Sequence, residues 1–202
     1  MSMVVSRALR SRRRAAGETH LPGEAGVWVL LFGDMTFFGL LFVAFLYYRS
    51  REPALFAESQ AHLEVNLGAI NTLVLLTSSI LVVTGVRAIR HGAPQLAAPL
   101  FGGAVFCGAI FGVDKYIEYS AKLAAGITPA TNSFYMIYYI LTGLHMVHVL
   151  TGMAVLIFMM SQSRTPAITI RQFGYVEGGA CFWHMVDLLW IVLFPLVYLV
   201  RT

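Results

Sequence analysis

The stretch "YYILTGLHMVHVLTGMAVLIF", residues 138–158, runs for 21 residues without an aspartate, glutamate, lysine or arginine. About 20 predominantly apolar residues are what an α-helix needs to cross a hydrocarbon layer about 30 Å thick. The helix also satisfies its own backbone polar groups where no water is present to do so. Outward from this string, the same pattern predicts spans at 27–48, 67–89, 96–122, 133–160 and 174–200, separated by short polar stretches. The composition agrees: 58% of the 202 residues are hydrophobic, 12% are charged, and the mean hydropathy is +0.73. These values exclude an ordinary soluble domain. The predicted fold is all-α, an integral membrane bundle of five transmembrane helices in one domain at 27–202, preceded by a basic amino-terminal arm at 1–26. Short connections predict antiparallel neighbours in a single bundle.

Lysine and arginine placement gives the orientation. The arm, the turn at Arg87 and Arg90, and the loop between Arg164 and Arg171 hold nine of the fourteen basic residues on one side. The amino terminus is therefore predicted cytoplasmic and the carboxyl terminus external, in a bacterial cell membrane. The arm carries Arg7, Arg10, Arg12, Arg13 and Arg14, and no apolar core follows it, which argues against a secretory signal. The net charge of +4 sits beside the membrane, so anionic headgroups rather than nucleic acid are the expected counter-charge. Cys107 and Cys181 fall in the third and fifth spans with no paired-cysteine spacing for a metal centre, and both read as small core residues.

Ionisable side chains inside a span cost roughly 2.5–3.5 kcal/mol on insertion scales, so each needs a partner or a function. Asp34 lies in the first span among apolar and aromatic neighbours; it is either a proton-handling carboxyl or a helix-joining one, with its partner on another helix or in water. His145 and His148 are three apart on one face of the fourth span, and His184 and Asp187 repeat that spacing in the fifth. Antiparallel packing brings all four to mid-membrane, where they are expected to form an interhelical polar layer; the sharper alternative is a metal site. Asp114, Lys115 and Glu118 make a charged cluster at the outer end of the third span, read as a snorkelling, anchored helix end or a partner contact. Glu177 reads as a surface or interface residue. Pro195 is expected to kink the last helix.

In order along the chain, "GDMTFF", "INTLVLLTSS", "KYIEY", "GLHMVHVLTG" and "FWHMVDLLWIVLF" resemble segments of subunit III of the haem-copper oxidases, over about residues 24–200. The resemblance implies a non-catalytic accessory subunit of a respiratory cytochrome c oxidase, supporting the stability, proton uptake or oxygen access of a catalytic subunit. It implies no redox centre, cofactor or metal in this chain; haem, and copper where the complex has it, belong to partner subunits. The implied partners are that catalytic subunit, other respiratory subunits and membrane lipids. Two departures stand out. Asp34 occupies a position where many members have glutamate, and the first two helices of the seven-helix members have no counterpart here. The five-helix form looks closest to a subgroup associated with nitric oxide reductases, which is the alternative reading. A free-standing metalloenzyme on the midplane histidines is the alternative from another class, and a small transporter is disfavoured by the lack of an inverted repeat.

Overall fold

The computed structural model describes residues 25–164 and 169–200, and among these the chain is all-helical. In order come α1 (Ala25–Arg51), α2 (Pro53–Ala61), α3 (Val65–Arg90), α4 (Ala97–Ala124), α5 (Ser133–Ser163) and α6 (Ile170–Phe194). A 3-10 turn (Pro94–Leu96) leads into α4, and a π turn (Pro195–Leu199) continues α6. Five helices are long and apolar enough to cross a membrane, and their limits differ from the predicted spans by a few residues at most. Almost all of the basic arm, and Arg201 with it, lies outside the described residues.

The helix ends follow from local chemistry. Gly92 and Gly126 close α3 and α4 at φ of 81° and 76°, a conformation that side-chain-bearing residues rarely adopt. Asn132 starts α5 by accepting the Tyr135 N–H at 2.9 Å. Thr169 starts α6 through a capping box with Gln172. Pro195 lacks an N–H for the helical ladder, and the chain responds by widening into the π turn.

Helices α3, α4, α5 and α6 form a closed ring in which each packs on the next and α6 returns to α3. Helix α1 lies outside the ring, against α5 and α6. Only 17% of the most apolar window of α1 is buried, against 56% of that of α6, so α6 is the centre of the molecule and α1 its flank. Close approach depends on missing side chains: a Cβ on Gly152 would lie 2.6 Å from Trp183, an indole with no exposed surface.

The short helix α2 was not foreseen from hydropathy. Proline at its first turn and buried Phe56 dock it across the end of the bundle, where Phe56 meets Phe45 and Phe134 at 5.3 Å each. Gln60 anchors it by donating to the backbone oxygens of Leu196 and Val197, carbonyls that the end of the last helix leaves without a ladder partner.

Candidate functional site

The polar residues of the spans fall into three groups along the bundle. The first surrounds the midplane histidines. Helix α5 carries His148 beside α1, where its Nε2 approaches Asp34 Oδ2 at 3.6 Å and Phe38 meets its ring edge-on at 5.3 Å. The other ring nitrogen, Nδ1, bonds the Leu144 carbonyl at 2.9 Å and must therefore carry a hydrogen. One turn away, His145 is fully buried, stacked on Trp190 at 5.3 Å and edge-on to Phe111 at 5.6 Å. Neither of its ring nitrogens has a hydrogen-bond partner among the described residues.

On α6, His184 Nδ1 bonds the Ser79 hydroxyl at 2.7 Å. Asp187, one turn on, is buried beside that serine, and neither of its oxygens makes a hydrogen bond of its own. The four residues expected to share one network thus share no hydrogen bond with one another. His148 turns to α1, His145 to the aromatic interior, and the α6 pair to α3. Among the described residues no three histidine, cysteine, aspartate or glutamate side chains gather into a metal-binding group.

The second group is Asp114, Lys115 and Glu118, read above as a snorkelling, anchored helix end or a partner contact. Lys115 is 1% exposed and Glu118 6%, so neither snorkels to water. Glu118 is the hub: it accepts from Lys115 at 2.5 Å, from Tyr138 at 2.8 Å and from Tyr198 at 3.0 Å, with the Lys122 ammonium at 3.4 Å. Lys115 also donates to Tyr198 at 2.6 Å and lies over the rings of Trp190 and Tyr198. Every polar atom thereby gains a partner inside a region that water does not reach, which is the condition for tolerating buried charge. Asp114 leaves the cluster and takes a hydrogen bond from Asn71 on α3. The spacing of Lys115 and Glu118 was visible in the sequence, whereas Tyr198 joins them from 83 residues away.

The third group is Glu177, which is buried rather than at the surface and pairs with Arg90 at 2.7 Å. It ties the start of α6 to the end of α3. Two further polar residues escaped the sequence reading: Ser78 accepts the Trp183 indole N–H at 3.0 Å, and Thr72 accepts that of Trp190 at 3.1 Å. The two tryptophans lie two helical turns apart on α6, but Thr72 and Ser78 are six residues apart, about 120° round α3, so no face pattern in the sequence announced them.

The arrangement therefore offers buried charge, hydroxyl-capped indoles and one carboxyl–imidazole contact. It joins helices and can hold protons. The family model described as cytochrome c oxidase subunit III matches residues 23–201. A cytochrome c oxidase subunit 3 from Synechocystis sp. is 37% identical over 195 residues, covering 90% of this chain and 82% of that protein. One from Thermostichus vulcanus is 30% identical over 175 residues, covering 86% of this chain and 85% of the relative. A heme-copper oxidase subunit I+III from Aeropyrum pernix is 26% identical over 183 residues, which is 88% of this chain and 22% of that longer protein. With its five long apolar helices, the protein is integral to a membrane. A model match over residues 23–201 and two relatives matched over 82% and 85% of their length leave one assignment: this chain belongs to the cytochrome c oxidase subunit III family.

Proposed function

We propose that this protein is the non-catalytic accessory subunit of a bacterial haem-copper cytochrome c oxidase, a five-span protein with its amino terminus cytoplasmic and its carboxyl terminus external. The observation that carries the reading is the match to subunit III over residues 23–201. The relative whose name joins subunits I and III in one chain supports a catalytic subunit as the partner. Haem and copper then belong to that partner, and this chain contributes a covering bundle. The relatives above carry oxidase names, which favours oxygen chemistry over the nitric oxide reductase alternative.

A proton role falls to Asp34 and His148. Because Nδ1 of His148 already donates to Leu144, its Nε2 faces Asp34 Oδ2 as a bare acceptor unless a proton sits on one of the two. Two acceptors at that distance repel, and one shared proton turns the contact into an attraction. The Asp34 side chain is 28% exposed on the flank of the bundle, where a partner subunit seated on α1 would meet such a proton.

The test is to tag the protein in its native host, isolate it in mild detergent, and record haem spectrum, metal content and co-purifying chains. Haem and copper arriving with a large catalytic subunit are expected; an isolated chain without haem would refute the accessory role. In the isolated complex, Asp34→Asn is expected to change the pH profile of turnover and hasten inactivation during turnover. An unchanged profile and lifetime would make the carboxyl purely structural.

A further inference from the structure

Ser79, His184 and Asp187 meet where α3 packs on α6, apart from the contact of Asp34 with His148. The Ser79 hydroxyl and His184 Nδ1 are 2.7 Å apart, so a hydrogen lies between them. Asp187, 3% exposed, lies beside the same hydroxyl and has neither a hydrogen bond nor an ion pair among the described residues. An ionised carboxylate without a donor is prohibitively costly in a water-free interior, so this one carries a proton and needs an acceptor for it.

Ser79 is the acceptor within reach. A hydroxyl accepts one hydrogen bond while it donates another, so one serine can join a protonated carboxyl to an imidazole. With Ser79 donating to Nδ1, the hydrogen of a neutral His184 sits on Nε2. That nitrogen makes no hydrogen bond among the described residues, and the half-buried ring lines the open side of the seam between α3 and α6. The opposite direction is closed. Trp183 and Trp190 flank Asp187 on α6, and their indole N–H groups already serve Ser78 and Thr72.

We propose that Asp187 is a buried proton store whose exit runs through Ser79 to Nε2 of His184. In one concerted step the Asp187 proton passes to the Ser79 oxygen, the Ser79 hydrogen passes to His184 Nδ1, and the Nε2 hydrogen leaves to a water at the open side of the seam. Loading reverses each transfer. The histidine stays neutral throughout, and the carboxylate that remains gains the Ser79 hydroxyl as its donor, so both states are hydrogen-bonded. With the indoles committed, the chain of donors stops at Asp187, which makes it a store rather than a channel. The site rests on α3 and α6 alone and stands apart from the accessory role.

The test is infrared difference spectroscopy of the protein isolated from its host in mild detergent, with its co-purifying chains, during exchange from light to heavy water. The carbonyl band of a neutral carboxyl is expected in the parent and lost in Asp187→Asn, and its deuterium shift gives the exchange rate. Ser79→Ala should slow that exchange about tenfold, the factor one lost hydrogen bond supplies, and Ser79→Thr should restore it. His184→Phe should slow it likewise, whereas His148→Phe, at the other carboxyl, should leave it unchanged. Where Asp187→Asn does not assemble, Asp187→Glu identifies the band by moving it. An ionised-carboxylate band in place of the neutral one, or exchange at the parent rate in Ser79→Ala or His184→Phe, would overturn the proposal.

Discussion

Replacing Glu118 with glutamine keeps the size of the hub but removes its charge and turns one of its two acceptor oxygens into an amide donor. Two ammonium groups then lose the carboxylate they contact: Lys115 at 1% exposure and Lys122 at 9%. Breaking a buried pair from one side costs about 3–5 kcal/mol. Lys115 keeps the Tyr198 hydroxyl and two ring faces, at 4.9 and 5.0 Å, which return about 1 kcal/mol of that. The net expectation is a loss of about 2–4 kcal/mol, or roughly 30-fold to 900-fold in the folded ratio. For a chain of this size it lowers the unfolding midpoint of the detergent-solubilised complex by about 4–16 °C. The companion Lys115→Met/Glu118→Gln leaves only Lys122 charged and should be less destabilised than the sum of its parts. A Glu118→Gln midpoint within about 2 °C of the parent, or strict additivity in the double variant, would refute the claim that this carboxylate neutralises buried charge.

Gly152→Ala drives a Cβ to within 2.6 Å of buried Trp183 and is expected to lose about 1–3 kcal/mol of stability, whereas Gly112→Ala, which meets nothing within 4 Å, should be neutral or slightly stabilising; thermal unfolding of the two side by side decides it. Ser78→Ala leaves the Trp183 indole N–H without its acceptor in a water-free interior, so a loss of about 1–3 kcal/mol is expected, with a blue-shifted tryptophan emission as a second readout. Gln60→Leu releases the Leu196 and Val197 carbonyls, and hydrogen exchange should accelerate over α2 and the π turn while the middles of α3 to α6 stay protected.

Much of this architecture was readable because hydropathy acts on about 20 residues at once: the apolar runs placed all five long helices, and the capping residues Asn132 and Thr169 sit where α5 and α6 begin. Pairings across the bundle were not readable. Glu177 looked like an interface residue because its cation, Arg90, lies 87 positions earlier. Lys115 looked like a snorkelling side chain because nothing near it in sequence announces Tyr198. Depth alone grouped His145, His148, His184 and Asp187 in one layer, whereas rotation about each helix axis turns His145 towards Trp190 and Asp187 towards Ser79. Depth in the membrane is a sum over residues, whereas azimuth depends on which neighbour packs first. Helix α2 was hidden for a further reason: nine residues are too few for a hydropathy window, and its docking relies on Phe56 in the aromatic cluster and on Gln60 at the end of the last helix.

Helix α6 leaves the ribosome after every helix it packs on. Lys115 is synthesised 83 residues before the Tyr198 hydroxyl that accepts its hydrogen bond, an interval of roughly 4–17 s at ordinary translation rates. Through that interval Ser78, Thr72 and Arg90 likewise wait for Trp183, Trp190 and Glu177. The nascent protein thus passes through a stage in which Lys115 already has Glu118, its neighbour on α4, while Arg90 still lacks Glu177 and the hydroxyls of α3 still lack their indoles.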